Sequence, residues 1–293
     1  MRLSRRDFMK HAGCVAAGLA AGVPAWGGEP PAKQLSRVVM IRRRDALRDD
    51  GTADDQAIRG MLDEAMAAFF EEADIAACWK RIIAPGDVVG IKSNVWHYLP
   101  TPDAVVKAVT RRVREAGVGA ENIAADDRGV LRNPVFKRAT ALINTRPMRT
   151  HAWSGVGSLI KNYIMFDPEP PKYHPNSCAS LAALWDLPAV KDKTRLNVLV
   201  MLTPQFHNLG PHHFDPEFIW PYRGLLVGTD PVAVDALGLR IIQAKRRLHF
   251  GSDRPIQPTA HHIAIADREY GLGCSRMEEI ELIRLGWEDE ALI

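Results

Sequence analysis

An apolar run, RLNVLVML at residues 195–202, leaves almost no polar face for solvent. A strand at a protein surface alternates apolar with polar residues, whereas a strand that is covered on both faces is apolar nearly throughout. Strands of this kind belong to parallel sheets whose two faces are packed against helices. The run therefore predicts a buried strand inside an α/β protein.

Helical patterns alternate with further strand-like runs along the chain. Residues 36–41 and 87–93 predict strands, and apolar residues recur at helical spacing after Asp54. Asp230 and Pro231 predict the start of another helix, because aspartate caps helices and proline fits the first turn. The alternation predicts an α/β fold with a mainly parallel sheet, flanked by helices, and a ligand cleft at the carboxyl ends of the strands.

The amino terminus has the features of an export signal. Residues 1–25 place Arg5 and Arg6 between a serine and the sequence Asp-Phe-Met-Lys, ahead of a short apolar run. This pattern is typical of a twin-arginine signal peptide, which directs a folded protein through the twin-arginine translocase to the periplasm. The run is short and rich in glycine, so we expect no stable membrane span in the mature protein. Residues 26–35 predict a linker, and residues 36–293 predict a single α/β domain or two closely packed halves.

The net charge of the chain comes from this amino-terminal segment. Residues 1–25 carry four basic residues and one acidic residue, so their +3 equals the net charge of the whole chain. The rest is formally neutral, which argues against a nucleic-acid partner. Three cysteines remain without any C-x-x-C pair, so the sequence predicts neither a disulfide framework nor an iron–sulfur cluster.

Polar side chains follow the strand-like runs. Lys92 and Asn94 come at the end of one run with His97 in the same loop, and Asp126 and Asp127 follow another. Carboxyl ends of parallel strands meet at one edge of a sheet, so we predict Lys92, Asn94 and Asp126 as binding residues. His97 has two interpretations, since with Trp96 and Tyr98 it either lines a pocket or only shapes the loop. The alternatives are a solvated lysine and an aspartate that caps a turn.

The segment THAWSGVGSLIKN at residues 150–162 contains the strongest candidates for catalysis. His151 and Lys161 lie ten positions apart, and His174 follows thirteen positions later. A neutral imidazole transfers protons or binds metal near neutral pH, and a partly buried lysine acts as a nucleophile. These residue types predict proton transfer or metal binding at His151 and His174 and nucleophilic chemistry at Lys161, the alternative being an exposed helix end and an ordinary loop. The binding residues predicted beside them are Arg149 and Asn162.

A histidine-rich loop, FHNLGPHHFD, offers a second candidate site. His207, His212 and His213 predict a site for a transition metal such as nickel, iron or zinc. Their spacing matches no strict template, so loop histidines without a metal are the alternative.

Two aspartates begin the helix near residue 230, and both are predicted as binding residues. Helix capping explains Asp230 equally well, whereas Asp235 needs a different partner. No G-x-S-x-G elbow, H-E-x-x-H helix or phosphate-binding glycine loop accompanies them, which removes support from the standard hydrolase, zinc-protease and nucleotide-binding classes.

Four segments together resemble domain-of-unknown-function family 362, whose members are often exported by the twin-arginine route. They are VVGIKSNVW, LINTRPMRTHAWSGVGSLIKN, GTDPVAVDA and ADREYGLG, spread between about Asp87 and Gly286. Some members of that family carry ferredoxin-type cysteine clusters, which this sequence lacks. It also departs from the family at Arg149, where lysine is more usual, and in lacking the glycine that usually follows soon after Lys-Asn.

A shorter stretch is similar to the nickel-pincer lactate racemases. In those enzymes a catalytic histidine, a lysine that covalently holds the cofactor and a nickel-ligating histidine follow one another with comparable separations. The residues that match this order are His151, Lys161 and His174, with His97 in the place of the other catalytic histidine. The similarity implies hydride or proton exchange at a hydroxy-acid carbon, with Lys92 or Arg149 holding the carboxylate.

These observations predict an exported enzyme of oxidoreductase or isomerase type that acts on a small anionic metabolite. Its expected cofactor is a transition metal or a lysine-bound organic group. The alternative is a non-catalytic periplasmic protein that binds a metal or another ligand, using the histidine-rich loop.

Overall fold

The structure, a computed structural model, describes residues 35–210 and 212–293. The predicted signal peptide at residues 1–25 and residues 26–34 of the predicted linker lie outside the described residues. The strands in chain order are β1 (Ser36–Arg42), β2 (Val89–Lys92), β3 (Ile123–Asp126), β4 (Ala141–His151), β5 (Gly155–Gly157), β6 (Thr194–Gln205), β7 (Gly224–Gly228) and β8 (Ile280–Gly286).

Helices connect most of these strands. The α-helices are α1 (Asp55–Phe70), α2 (Ile75–Lys80), α3 (Asp103–Glu115), α4 (Pro134–Lys137), α5 (Leu159–Asn162), α6 (Pro231–Phe250) and α7 (His262–Arg268). Short 3₁₀ helices occupy Arg44–Ala46, Ala120–Asn122, Tyr163–Phe166, Pro170–Tyr173, Ala179–Asp186, Pro216–Phe218 and Met277–Glu279. The predicted caps are confirmed, since the Asp54 carboxylate accepts from the first turn of α1 and Asp230 does the same for α6.

The sheet confirms the predicted α/β class. Its strand order is β3-β2-β4-β6-β7-β1-β8, and β5 pairs with β4 as a short hairpin. Neighbouring strands of the main sheet run parallel except at β7, which is antiparallel to both β6 and β1. The carboxyl end of β7 therefore lies at the opposite edge from the carboxyl ends of β2, β4 and β6.

Two apolar layers cover the two faces of the sheet. In β1, Val38 and Met40 face one layer while Val39 and Ile41 face the other, because successive strand residues point to opposite sides. Helices α1 and α3 pack in the second layer, and α5, α6 and α7 pack in the first. Each fully buried aliphatic side chain of this kind stabilises the fold by roughly 1.5–3 kcal/mol.

Two further observations bear on the sequence predictions. Cys78, Cys178 and Cys274 are all buried and unpaired. Within residues 35–210 and 212–293, no helix combines the length and the apolarity needed to cross a bilayer.

Candidate functional site

A cavity of about 240 Å³ lies beyond the carboxyl ends of β2 and β4. The predicted site residues that line it are Asn94, Arg149, His151, Lys161, Asn162 and His174. His151 and Lys161 thus share one cavity, as their proposed joint role requires. A separate cavity of about 350 Å³, bordered by Thr194 and Pro231, is larger but holds no buried cation. The smaller cavity is therefore the candidate site.

Two arginines of β4 meet at the floor of this cavity. Arg146 and Arg149 are three residues apart, so strict strand alternation would place them on opposite faces of the sheet. The register between β4 and β6 shifts between Pro147 and Arg149, and a shift of this kind bends a strand. Both guanidinium groups consequently line the same cavity.

These two guanidinium groups lack anionic partners within the described residues. Each arginine is only 3% exposed, and the Nε atom of each has no hydrogen-bond partner. Arg149 donates from Nη1 to Oδ1 of Asn94 over 3.1 Å, and its guanidinium lies 4.4 Å above the ring of Trp96. Buried donors are nearly always satisfied in proteins, so unpartnered donors beside a cavity indicate a place for an acceptor that the chain does not supply.

Burial lowers the pKa values of both arginines. The pKa of Arg146 falls to about 10, since burial outweighs the opposing charges of Asp127 and Asp235. The pKa of Arg149 falls well below its ordinary value for the same reason, and the neighbouring Arg146 lowers it further. Arginine remains charged in proteins, so the floor of the cavity carries two adjacent positive charges at neutral pH.

Lys92, predicted as a binding residue, lies behind the cavity in a buried ion pair. Its Nζ lies 2.5 Å from Oδ1 of Asp127 and donates to the carbonyl oxygen of Ser93 over 2.7 Å. Burial lowers the pKa of Lys92 to about 8, although the Asp127 charge opposes this shift. Burial alone would raise the pKa of Asp127, but Lys92 outweighs it and holds that pKa below its ordinary value.

Asp127, rather than the predicted Asp126, faces the cavity. Both oxygens of Asp126 are used within a turn, where they accept from the backbone of Gly129 over 2.8 Å and from the Asn133 amide over 3.0 Å. Asp126 is the last residue of β3, so the next residue turns toward Lys92. The alternative of a turn-capping aspartate thus describes Asp126, and Asp127 is the aspartate of this pair that lines the cavity.

Lys161 lies on α5, a single helical turn that follows the β4–β5 hairpin. Its Nζ is buried and donates to Sγ of Cys178 over 3.4 Å. Burial lowers the pKa of Lys161 to about 8, partly opposed by Cys178 and reinforced by Arg146. About a tenth of such amines is neutral at pH 7, which is enough for nucleophilic or basic chemistry.

An unusual backbone path brings Cys178 to this lysine. Asn176, Ser177 and Cys178 have positive φ angles of 51°, 53° and 64° within the turn Pro175–Cys178. Left-handed backbone costs roughly 1–2 kcal/mol for each residue with a side chain. Strain of this size concentrates at functional sites, where surrounding contacts hold it in place.

Asp235 does not cap its own helix, and its carboxylate instead accepts hydrogen bonds from the start of α5. Its Oδ1 accepts from the backbone of Leu159 over 2.9 Å, and its Oδ2 accepts from Ile160 and from the Ser158 hydroxyl over 2.9 and 2.6 Å. Burial raises the pKa of Asp235 to about 6, although these hydrogen bonds oppose the shift. Because α5 carries Lys161, Asp235 fixes the position of that lysine from outside the cavity lining.

Asn162 links the ion pair to the sheet. Its Nδ2 donates to Oδ1 of Asn144 over 2.8 Å and to the carbonyl oxygens of Lys92 and Thr145 over 3.2 Å each. These hydrogen bonds connect α5 to β2 and β4, and part of the Asn162 side chain also lines the cavity.

The hydrogen bonding of His151 defines its tautomer. The backbone N–H of Trp153 donates to its Nδ1 over 3.2 Å, so the ring proton of neutral His151 lies on Nε2. Burial lowers its pKa well below the ordinary value, and the charges of Lys161, Arg146 and Arg149 lower it further. His151 is therefore neutral at pH 7 and offers an Nε2–H donor to a ligand in the cavity.

His174 borders the same cavity beside an exposed tryptophan. Its ring stacks on Trp153 with centroids 4.2 Å apart and planes 20° apart. Burial lowers its pKa to about 4, and the charge of Lys161 contributes to the shift. The ring is therefore neutral, as a metal ligand must be.

The histidine-rich loop does not assemble the predicted metal site. His207 accepts at Nδ1 from Arg246 over 2.8 Å, so a guanidinium occupies the position that a cation would need. His212 packs against Trp153, and His213 is exposed. Throughout the described residues, no three His, Cys, Asp or Glu side chains are grouped so that they would hold a metal ion.

Two further predicted residues lie outside the cavity lining. His97 is exposed, and its ring contacts Tyr98 with centroids 3.8 Å apart. Asp230 caps α6 and accepts from the backbone of Cys274 over 2.8 Å. It follows β7, whose reversed direction puts it at the other edge of the sheet.

Some of the site residues were not predicted from the sequence, namely Arg146, Asp127, Trp153 and Cys178. A signal for Arg146 was present, because Pro147 interrupts a buried strand and proline inside a sheet marks a bulge. A bulge changes which residues share a face, so it would have placed Arg146 beside Arg149.

The fold and the cavity define an α/β protein with a buried cationic pocket at the carboxyl ends of its parallel strands. No protein-family profile, curated protein or solved structure matches the chain. The similarity to domain-of-unknown-function family 362 and to the nickel-pincer racemases therefore stays a prediction, and the site is interpreted from its own chemistry.

Proposed function

We propose that this protein is an enzyme that binds a small organic anion on the Arg146–Arg149 floor and acts on it with Lys161 and His151. The observation that supports this function best is the pair of buried guanidinium groups without anionic partners. A carboxylate matches the planar donor fork of arginine and would satisfy the unpartnered donors. The reaction class is oxidoreduction or isomerisation next to the anionic group.

The arginines of the floor, the lysine and the histidine have separate roles in the proposed reaction. Arg146 and Arg149 hold and orient the anion, which fixes the reacting carbon relative to Lys161. Lys161 provides an amine with a pKa of about 8, which serves as a nucleophile or a proton acceptor. His151 donates a hydrogen bond from Nε2 to an oxygen that gains negative charge during the reaction.

The residues present fit a lysine-bound organic cofactor better than a metal held by the protein alone. Lys161 is the residue that would hold such a group, and it would supply hydride or electron-pair exchange at the substrate carbon. A transition metal fits only where the cofactor itself provides most of the ligands and His174 adds one, because no larger cluster of ligating side chains exists among the described residues.

Two measurements on the purified protein test this function. Intact mass spectrometry should reveal a covalent increment that disappears in Lys161→Arg, with Lys107→Arg as a matched control on an exposed helix face. Titration calorimetry with carboxylates of two to nine carbons should show binding that Arg149→Met weakens by about 10-fold to 100-fold, as expected for one lost charge-assisted contact. Arg138→Met, which removes an exposed arginine, serves as the control.

The outcomes separate the two classes of protein. Carboxylate binding that depends on Arg149, without any adduct at Lys161 and without turnover of bound acid, would favour the non-catalytic ligand-binding protein. No binding of any carboxylate, together with an unmodified Lys161, would contradict both.

The predicted signal peptide supports an exported enzyme in the periplasm. A twin-arginine signal suits a protein that receives its cofactor before export, because that route carries folded proteins. Cell fractionation should find the wild-type protein in the periplasm without residues 1–25, whereas the double variant Arg5→Lys/Arg6→Lys should remain in the cytoplasm at full length. Equal distribution of both proteins would contradict export by this route.

A further inference from the structure

The cavity changes in character from its floor to its mouth. Arg146, Arg149 and Lys161 are each 3% exposed and form a charged floor. One side of the mouth is apolar and is formed by the exposed Trp153 and the partly exposed Ile164, Met165 and Pro170, while the exposed Arg128 also borders the cavity. Trp153 is 38% exposed although its ring already contacts His174 and His212. An apolar side of the mouth above a charged floor matches a ligand with an anionic head and an apolar tail.

The size of the cavity limits the length and shape of that tail. An apolar cavity of about 150 Å³ is known to accommodate one benzene molecule. The present cavity of about 240 Å³ exceeds this by roughly the volume of a carboxylate and a linking carbon or two. A bare two- or three-carbon acid would leave the apolar side of the mouth in contact with water, and a nucleotide would be too large to lie within the cavity.

We propose that the ligand of this cavity is an organic monocarboxylate with a single planar apolar group, such as an aryl-substituted short-chain acid. Its carboxylate lies on Arg146 and Arg149, and its ring lies against Trp153 at the mouth. This inference rests on the proposed function, which assigns the anion to the arginines, and it adds the part of the substrate that gives specificity.

A matched set of three ligands isolates each part of the proposal. The ligands are 3-phenylpropionate, propionate and the uncharged 3-phenylpropanol, titrated calorimetrically against the wild-type protein. Burying a phenyl ring should make 3-phenylpropionate bind at least about 10-fold more tightly than propionate. The alcohol should bind more weakly than the aromatic acid, because it lacks the charge that the two arginines recognise.

Variants then assign the preference to particular residues. In Trp153→Ala the ratio of the two acid affinities should fall toward 1, and Trp153→Phe should restore most of it, which distinguishes a lost contact from a misfolded protein. Arg149→Met should weaken both acids. Tyr270→Ala, which removes a similarly exposed aromatic ring outside this cavity, should leave the ratio unchanged.

The results distinguish a failure of the aromatic-acid assignment from a failure of the proposed function. Equal affinities for propionate and 3-phenylpropionate, or a preference that Trp153→Ala leaves intact, would overturn the aromatic-acid assignment while the anion site itself stands. Binding of neither acid would also overturn the aromatic-acid assignment. Binding of the alcohol as tightly as the aromatic acid would overturn the proposed function as well, because the arginines would then not recognise the anion.

Discussion

The buried pair of Lys92 and Asp127 gives a quantitative test of how this site is held together. Replacing Asp127 by asparagine keeps the side-chain shape but removes the negative charge that Lys92 Nζ contacts at 2.5 Å. Lys92 is fully buried, and its other hydrogen-bond acceptors in the described structure are the neutral oxygens of Ser93 and Asn162. The variant therefore leaves a buried ammonium group without a counter-charge.

The expected loss follows from the pKa of the lysine and from the energetics of broken buried pairs. The fall of the Lys92 pKa from 10.5 to about 8 means that the buried ammonium already costs about 3 kcal/mol at neutral pH with its partner present. Removing one partner of a buried pair costs a further 3–5 kcal/mol or so if the remaining group stays charged. Since a typical domain is stable by about 5–15 kcal/mol, even a smaller loss is measurable.

The pH dependence has a definite sign. The folded-state pKa of Lys92 is below the unfolded-state value, so the unfolded chain binds more protons between about pH 8 and 10.5 and stability from this group rises with pH across that window. Without Asp127 the folded-state pKa falls further, and the rise begins at lower pH. The difference between wild type and variant that comes from Lys92 should thus be largest below the variant's folded-state pKa, shrink as the pH rises toward about 8, and stay small above it.

Urea unfolding followed by tryptophan fluorescence at pH 6.5 and pH 9 measures both effects. Lys92 can lose its proton at a cost of about 2 kcal/mol at pH 6.5, which is about 1.5 units below its folded-state pKa of about 8. Asp127→Asn should therefore lose about 2 kcal/mol at pH 6.5 and clearly less at pH 9. Asp126→Asn is the matched control, because its carboxylate serves a turn and its charge acts on Lys92 only from a distance and less than that of Asp127, so its loss should be smaller. A loss below about 1 kcal/mol at pH 6.5, or an equal loss at both pH values, would refute the reasoning.

Three other perturbations have equally definite expectations. In protein whose Lys161 carries no covalent group, carboxylate binding should weaken as the pH rises through about 8, where Lys161 loses its charge, and calorimetry of Lys161→Met should show no such transition. Cys178→Ala removes the group that opposes the lowering of the Lys161 pKa, so the same transition should move to lower pH, and an unchanged midpoint would exclude a role for the thiol. Gly155→Ala should lose about 3 kcal/mol or more in thermal unfolding, because φ is +73° and the added carbon would lie 2.3 Å from the carbonyl oxygen of Pro258. Gly271→Ala, with φ of +60° and open space around the added carbon, should lose only about 1–2 kcal/mol, and equal losses would contradict this account.

Local patterns predicted the elements of the fold because they depend on neighbouring residues alone. The apolar run at residues 195–202 lies within β6, and Asp230 caps α6 as its sequence predicted. The reversed direction of β7 was not readable, since it depends on which strands it pairs with across the sheet. That direction decides the position of Asp230, so the cap was predictable from neighbouring residues while its position away from the cavity was not.

The same difference between local patterns and long-range pairing explains which site residues could be predicted from the sequence. Several site residues lie close together in the sequence between Arg149 and Asn162, so they could be predicted to act together. Choosing between Asp126 and Asp127 required the end of β3 to within one residue, which sequence patterns do not provide. The histidine-rich loop suggested a metal because several ligands lie close together in sequence, but the partner of His207 is Arg246, on a distant helix.

The charge balance of the cavity links its stability to its ligand. Arg146, Arg149 and Lys161 are buried beside it, while the nearest buried carboxylates, Asp127 and Asp235, are already engaged by Lys92 and by the start of α5. Burying cations without counter-charges destabilises a fold, and a chain under selection for stability alone would replace them. A bound carboxylate would supply the missing charge, so ligand binding should stabilise the protein by an amount that grows with the logarithm of its affinity. Thermal unfolding in the presence of a carboxylate should therefore shift upward in wild type more than in Arg149→Met, which already lacks one of the unpaired charges.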